Sequence, residues 1–308
     1  MTVLFSVVIP VFNRAAVLRA ALQSVLDQTC QDFEIVVVDD GSRDDPRAVA
    51  EGLGDARIRV LRQDNAGGNA ARNAGIDAAT GRYVAFLDSD DTFLPHHLAA
   101  MRDLLAGTDD RIGYAPVVVD RGHGRSMVKP PRGLAPGEHM ADYLLRDRGF
   151  VPTITLVVPR AIAARVRYAE ALPFAQDTDF AIRLFLAGHR FVMAQMPGAI
   201  WQDAPNPNRT SAGRKGARLI PWLDAMKPRI PEKAWFGCRG WMIAKGLAAT
   251  EPLTALRYYL HAVARGCYGP KLAAVVFLQI FVSDRLYRGL ADGVVALVHT
   301  RAARAAHP

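Results

Sequence analysis

Arg82-Tyr-Val-Ala-Phe-Leu-Asp-Ser-Asp-Asp91 is the stretch on which the fold turns. Its apolar run, Tyr83–Leu87, reads as a buried strand that stops abruptly at Asp88, Asp90 and Asp91. Ionised side chains crowded at a strand end repel one another, and each resists leaving water. A divalent cation carrying a phosphorylated ligand relieves both penalties, so the segment predicts a binding site at a strand tip.

The same arrangement recurs upstream. Phe5–Ile9 and Phe33–Val38 are β-rich runs, the first closing at Pro10 and the second in Asp39-Asp40-Gly41-Ser42; Ile58–Leu61 is a third. Between them, Arg14–Asp27 sets Val17, Leu18, Ala21, Leu22, Val25 and Leu26 on one helical face. Asn69–Ala79 reads as a helix stopped by Gly81, and Leu94–Leu105 as another with Pro95 in its first turn. This alternation predicts an α/β fold, with a mostly parallel sheet covered by helices. Ligands of such sheets bind at the carboxyl ends of the strands, where Asn13, Asp39-Asp40 and Asp88–Asp91 should converge.

Downstream the pattern loosens. Arg121–Pro136, rich in Gly, Pro and basic residues, reads as a loop; Thr153–Val158 and Phe191–Ala194 as strands; Thr178–Gly188 as a helix; and 204–211 as a loop able to move. From about residue 216 the chain turns to helices with interleaved aromatic and basic residues. Leu272–Val282 is apolar except for Gln279 and is followed by Asp284, Arg285 and Arg288. It falls short of the roughly 20 residues that a membrane span needs, and suits an in-plane amphipathic helix or an ordinary packed one. The expected division is residues 1–120 and 121–215 as the donor and acceptor parts of one domain, and 216–308 as a helical extension.

Composition narrows the classes. The chain has 308 residues, 50% of them hydrophobic, as a globular protein with a sizeable core requires. Three scattered cysteines suggest neither a disulfide framework nor a zinc site, and favour a reducing compartment. The opening Met-Thr-Val-Leu-Phe-Ser lacks a basic leader and reads as the approach to a strand. Residues 1–208 hold 22 Lys and Arg against 25 Asp and Glu, whereas 209–308 hold 16 against 5. The acidic chemistry therefore lies in front. The basic excess at the end suits an anionic partner, a membrane surface in particular, and the hydrophobic C-terminal helices suit a homodimer equally well. Nucleic acid is disfavoured: no recognition motif is present, and an acidic site repels a phosphate backbone.

Four pieces arrive in a recognisable order: Ser6-Val-Val-Ile-Pro-Val-Phe-Asn-Arg14, Val37-Val-Asp-Asp-Gly-Ser42, Asn65-Ala-Gly-Gly-Asn-Ala-Ala-Arg-Asn-Ala-Gly75 and Phe86-Leu-Asp-Ser-Asp-Asp91. A fifth, Gln176-Asp-Thr-Asp179, follows. Each alone is weak; in this order, over roughly residues 3–210, they resemble the family 2 inverting glycosyltransferases of GT-A fold. The resemblance implies a Rossmann-like sheet, a nucleoside diphosphate sugar donor (most often UDP-linked), a Mn²⁺ or Mg²⁺ cofactor, and transfer to a glycan or lipid-linked acceptor in cell-envelope or exopolysaccharide assembly. It implies a cytoplasmic enzyme, peripheral on the inner membrane face if the basic tail binds lipid.

Residue by residue, Pro10, Phe12 and Asn13 match the loop that flanks the nucleoside, with Phe12 in place of a common tyrosine. Asp39 and Asp40 match the acidic pair beside the base, Asp40 being the better candidate to accept the uracil N3–H, a donor that cytosine lacks. Asn65, Gly68 and Arg72 line the nucleotide pocket, where Arg72 pairs with the acidic cluster or approaches the diphosphate. Asp88-Ser89-Asp90 matches the DxD motif. Asp90 and Asp91 lead as metal ligands, with Asp88 as a third or as a contact to sugar or ribose, and Ser89 faces the donor. Asp177 matches the catalytic base, with Asp179 as the fallback; Gln176 stands where glutamate is usual, which removes a charge from its neighbourhood. Arg209, Thr210 and Ser211 match a segment that closes over the diphosphate, a task that Arg214 and Lys215 also suit. His96 and His97 lack metal-ligand spacing and read as structural or acceptor-facing. Two other readings remain: a sugar-1-phosphate nucleotidyltransferase, disfavoured because Val11–Ala16 holds no glycine, and a nucleotide-sugar scaffold without catalysis, favoured only by Gln176.

Overall fold

Strand and helix alternate through the first hundred residues as the patterning predicts. In order they are β1 (Phe5–Val11), α1 (Ala15–Leu26), β2 (Phe33–Asp39), α2 (Pro46–Glu51), β3 (Ile58–Arg62), α3 (Gly68–Ala78), β4 (Tyr83–Phe86), β5 (Thr92–Phe93) and α4 (His97–Leu105). Then come β6 (Arg111–Tyr114), β7 (Val117–Asp120), β8 (Ser126–Lys129), β9 (Val157–Pro159), α5 (Arg160–Val166), α6 (Gln176–Leu186), β10 (Arg190–Met193) and β11 (Ala199–Gln202). The structure, a computed structural model, describes residues 3–203 and 216–282, apart from 123 and 173. Arg209, together with Thr210, Ser211, Arg214, Lys215, Asp284, Arg285 and Arg288, lies outside the described residues.

The main sheet has seven strands in the order β10-β6-β9-β4-β1-β2-β3. β1 pairs in parallel with both β2 and β4, and β2 with β3; β9 runs antiparallel between β4 and β6. The fold is α/β with a mostly parallel sheet, as the sequence predicts. β1, β2 and β4 are almost wholly buried because helices cover both faces, which is why they read as unbroken apolar runs. Val11 pairs with Asp39, and Phe86 pairs with Val8 three residues before the end of β1, so the acidic residues that follow β2 and β4 emerge at the same carboxyl edge of the sheet.

A second sheet, β5-β11-β7-β8, lies beyond this edge in sequence and was only partly legible. Arg121–Pro136 is no simple loop: β8 pairs back on β7 around a turn whose Gly122 and Gly124 take positive φ. The strand expected over Thr153–Val158 is split. Thr153–Thr155 forms one 3-10 turn after Pro152, and the strand begins at Val157. Thr155 Oγ1 donates to the Ala115 carbonyl at 2.7 Å, a side-chain tie that an extended backbone alone would not make.

The chain divides into two units, Met1–Leu144 with Arg148–Arg209, and Leu145–Asp147 with Thr210–Pro308. The second is helical: α7 (Ile220–Met226), α8 (Glu232–Cys238), α9 (Ala244–Leu247), α10 (Pro252–Ala264) and α11 (Pro270–Phe281). Among the described residues no helix is long and apolar enough to cross a membrane. The three cysteines are buried and free.

Gly75 brings α3 onto the sheet. A Cβ there would lie 2.2 Å from Val8 Cγ1, so only glycine lets the helix rest on β1 at this point. Gly75→Ala is expected to lower stability by about 1–3 kcal/mol through overpacking, measured as a drop in the urea midpoint at unchanged slope.

His97 is structural. It is wholly buried against Phe93, with neither ring nitrogen hydrogen-bonded, and burial lowers its pKa to about 3. An unfolded histidine titrates near 6.5, so the unfolded chain binds the extra proton between these values. Stability is expected to fall by about 1.4 kcal/mol for each pH unit as pH drops from about 6.5 towards 3. This component should vanish from the unfolding curves of His97→Phe.

Candidate active site

Three loops meet at the strand tips and are stitched by hydrogen bonds. Asn13, at φ 52°, donates its backbone N–H to Ser42 Oγ at 3.0 Å, and its Oδ1 accepts from the Arg43 N–H at 2.8 Å. The loop after β1 is thereby locked to the loop after β2, leaving Phe12 exposed above them. Pro10 sits in register with Val38 near the end of the same strand.

Asp39 and Asp40 are both buried, and both carry structural bonds. Asp39 accepts from the Ser42 N–H at 2.8 Å and from Arg62 Nη1 at 2.7 Å. Asp40 takes Gln63 Nε2 and the Ala66 N–H on one oxygen, and the Gly67 N–H at 2.8 Å on the other. Three donors occupy three of the roughly four lone-pair positions of a carboxylate, so Asp40 acts first as the anchor of the loop that opens α3. Asn65 completes this anchor by donating to the Asp40 carbonyl at 2.9 Å. Gly41, at φ 78°, keeps the turn open: a Cβ there would lie 2.9 Å from the Asn65 nitrogen.

Helix α3 then carries three side chains into the site. Arg72, beside Gly68, binds Asp88 Oδ1 through Nη2 at 2.6 Å and lies over the Tyr168 ring at 5.4 Å. Burial opposes its charge, but Asp88, Tyr168 and Asp177 together hold its proton more firmly than usual. Asn73 grips the backbone of Tyr168 at both ends, its Oδ1 accepting from the N–H at 2.9 Å and its Nδ2 donating to the carbonyl at 3.0 Å. Asn69, one turn earlier, donates to the Ala169 and Leu172 carbonyls. The segment they hold leads directly into α6, whose second residue is Asp177.

Asp177 lies partly accessible at the start of α6. Burial pushes its carboxyl above the ordinary value. Arg72 and the Thr153 hydroxyl pull it down and Asp88 pushes it up again, and the rise prevails. Thr153 and Tyr168 are both buried beside this carboxyl. Phe180, also on α6, stacks on Tyr168 at 4.0 Å, which fixes the helix to the gripped segment. Asp179, the fallback base, is buried and paired with Arg183 at 2.6 Å within the same helix.

The acidic tip divides in a way the sequence did not predict. Asp88 is on Arg72, and Asp90 pairs with Arg14 at 2.7 Å. Asp91 is buried at 3% exposure and accepts the Gln202 N–H at 2.8 Å, which ties β5 to β11. Ser89 is buried between them. Among the described residues no group of three His, Cys, Asp or Glu is arranged around a metal position. Magnesium-type ions at phosphates need only one or two carboxylates, the rest of the shell being substrate oxygen and water. Asp88 and Asp90, with side chains 35% and 30% exposed, meet that requirement.

Comparison with known proteins fits this geometry. The family description "Glycosyl transferase family 2" matches residues 6–171. The chain belongs to glycosyltransferase family 2. It is 33% identical over 240 residues to the amylovoran biosynthesis glycosyltransferase AmsB of Erwinia amylovora, covering 74% of this chain and 79% of AmsB. To the succinoglycan biosynthesis protein ExoW of Rhizobium meliloti it is 31% identical over 224 residues, 65% of this chain and 69% of ExoW. The S. aureus TarS 1-349 crystal structure in complex with UDP-GlcNAc superimposes with a TM-score of 0.62 at 18% identity, over 90% of this chain and 87% of that one, which supports the shared GT-A fold. The nucleotidyltransferase reading loses its footing with the family match.

Sequence reading missed Arg14, Arg62, Asn69, Asn73, Thr153 and Tyr168 as parts of this assembly. A signal existed for the asparagines: two poor helix formers four residues apart on a buried helix face ask for partners across the fold. Asn73→Ala leaves two buried backbone groups unpaired and is expected to cost about 1–3 kcal/mol for each. Asn73→Asp should cost more, because it turns a carboxylate towards the Tyr168 carbonyl and Glu170, which now accept from Nδ2. Urea denaturation of the two variants against the parent checks the order.

Proposed function

We propose that this glycosyltransferase transfers a sugar, with inversion, from a UDP-linked donor to a hydroxyl of a glycan or lipid-linked acceptor in exopolysaccharide or cell-envelope assembly. The supporting observation is the set Asp177, Arg72 and Asp88: a base held in part from water, beside a guanidinium and the acidic strand tip. AmsB and ExoW, named for amylovoran and succinoglycan biosynthesis, support an exopolysaccharide product.

In this reading the nucleoside lies over the β1 and β2 tips, with Phe12 stacking and Asp39 or the remaining lone pair of Asp40 accepting the uracil N3–H. Pro10, Asn13, Asn65 and Gly68 shape the walls of that pocket, with Ser89 buried behind the acidic strand tip. Asp88 and Asp90 would hold Mn²⁺ or Mg²⁺, whose chemistry there would be positive charge for the diphosphate leaving group. Arg72 adds fixed positive charge beside it, and Arg209 is a further candidate for the diphosphate. Asp177 accepts the proton of the acceptor hydroxyl as that oxygen bonds to the anomeric carbon and the carbon–diphosphate bond breaks on the opposite side. Residues 1–120 then serve the donor and 121–215 the acceptor and base.

A raised pKa suits this role. The base works only when ionised, so turnover should fall as pH drops through a value above the ordinary carboxylate range near 3.9. Asp177→Asn is expected to reduce kcat by 10²-fold or more while leaving UDP-sugar binding in place, read by initial rates and by ligand-induced shift in melting temperature. The sign of its effect on stability is opposite. Folding disfavours the charged form of a carboxyl whose pKa it raises, so at neutral pH the asparagine variant should melt at or above the parent temperature. Retention of full turnover in that variant would remove Asp177 from the mechanism. A UDP-sugar shift that is independent of Mn²⁺ and unchanged in Asp90→Ala would remove the metal from the donor site.

A further inference from the structure

The helical unit carries features that donor binding does not use. Four cations rest on aromatic ring faces. Lys227 Nζ lies 4.7 Å over Trp235, and Arg239 lies between two rings, 4.4 Å from Trp235 and 4.0 Å from Tyr258. Arg257 lies 5.7 Å over Tyr258 and Arg265 3.8 Å over Phe236. Among the described residues none of these four forms an ion pair, nor do Asp224, Glu232 and Glu251, the carboxylates of residues 216–282. A ring face orients a cation without cancelling its charge, so these groups keep their attraction for an anion. Nine Lys and Arg stand against those three acids.

The same unit exposes apolar bulk. On α10, Leu253 is 82% and Leu260 51% exposed, and Arg257 falls on the same stripe between them. On α11, Phe277 is 41% and Leu278 38% exposed, with exposed Lys271 two turns before Leu278. The helices dock through Tyr259, whose hydroxyl donates to the Ala273 carbonyl at 3.0 Å and whose ring meets Phe277 at 5.6 Å. Each of these docked helices thus carries its own exposed apolar and basic stripe. Scattered exposed leucines are ordinary; four large apolar side chains interleaved with unneutralised cations on neighbouring helices are not.

We propose that α10 and α11 form a docking face for an anionic phospholipid surface, with Leu253, Leu260, Phe277 and Leu278 entering the headgroup boundary and Arg257, Arg265 and Lys271 meeting lipid phosphates. Charge selects this occupant. A second copy of the chain would set one basic face against another, whereas an anionic leaflet complements both parts of the surface. The unit lies in the plane of the membrane, since no described helix is long enough to span one. Its position would bring the enzyme to a lipid-linked acceptor, but the inference stands on the helical unit alone and not on the donor assignment.

Co-sedimentation of the full-length enzyme with vesicles tests it, using phosphatidylglycerol mixed with phosphatidylethanolamine against phosphatidylcholine alone. The expected result is binding to the anionic vesicles, weaker by about tenfold or more on phosphatidylcholine and falling with salt. The double variant Leu253→Glu, Leu260→Glu, both well exposed, should lose about tenfold in partitioning with an unchanged melting temperature and an unchanged UDP-sugar shift. Inorganic phosphate at matched ionic strength should displace no more enzyme than chloride. Equal binding to both vesicle types, no binding to either, or parent-like partitioning of the double variant would overturn the proposal. So would specific displacement by inorganic phosphate, which would assign the cations to a soluble phosphate. Self-association in sedimentation velocity that the double variant abolishes, without vesicle binding, would assign the face to a second copy.

Discussion

A buried guanidinium has few ways to stay charged, and Arg72 has found the one that organises the site. Its Nη2 to Asp88 contact at 2.6 Å joins helix α3 to the tip of β4, and its field reaches Asp177 at the start of α6. Removing either partner of such a pair leaves an uncompensated charge, so the geometry around it is tightly constrained. α3 is held to match: Gly75 lets it lie on Val8, Asp40 anchors its entry loop, and Asn69 and Asn73 grip the segment that carries the base. Donor side and acceptor side are thus mounted on one helix.

The two faces of this helix also explain how Asp177 keeps a raised pKa without a neighbouring glutamate. Where a second carboxylate would supply repulsion, this chain has Gln176. The rise comes from burial first, with Asp88 contributing across the site, and Arg72 and Thr153 moderate it. A base tuned by desolvation depends on the packing around it, and the helix that carries Asp177 is fixed by the stack of Tyr168 on Phe180, with Phe86 in T-shaped contact with both rings. Core packing and chemistry are therefore one structure at this point.

The helical unit follows a different logic. Four of its cations are held by aromatic faces and four large apolar side chains of α10 and α11 are turned outward, an arrangement that gains nothing for a core and much for contact with a charged surface. The enzyme unit, by contrast, pairs nearly all the acidic chemistry at its strand tips with arginines or backbone donors. The uneven charge along the chain mirrors that division.

Local patterning alone determined the α/β class and the first four strands, because buried parallel strands require unbroken apolar runs and their connecting helices require one apolar face. It also determined which carboxylates gather at strand tips, since a chain reversing at the end of a buried strand must place its polar residues there. What it left open was partnership. Asp88, Ser89, Asp90 and Asp91 are neighbours in sequence, yet they face Arg72, the protein interior, Arg14 and the Gln202 backbone. Asn73 meets Tyr168, and β7 meets β8 and β11, across separations that no local period encodes. Tertiary structure decided these because a buried donor or acceptor takes whatever partner the packed elements bring within about 3 Å, and only the completed fold fixes which one that is.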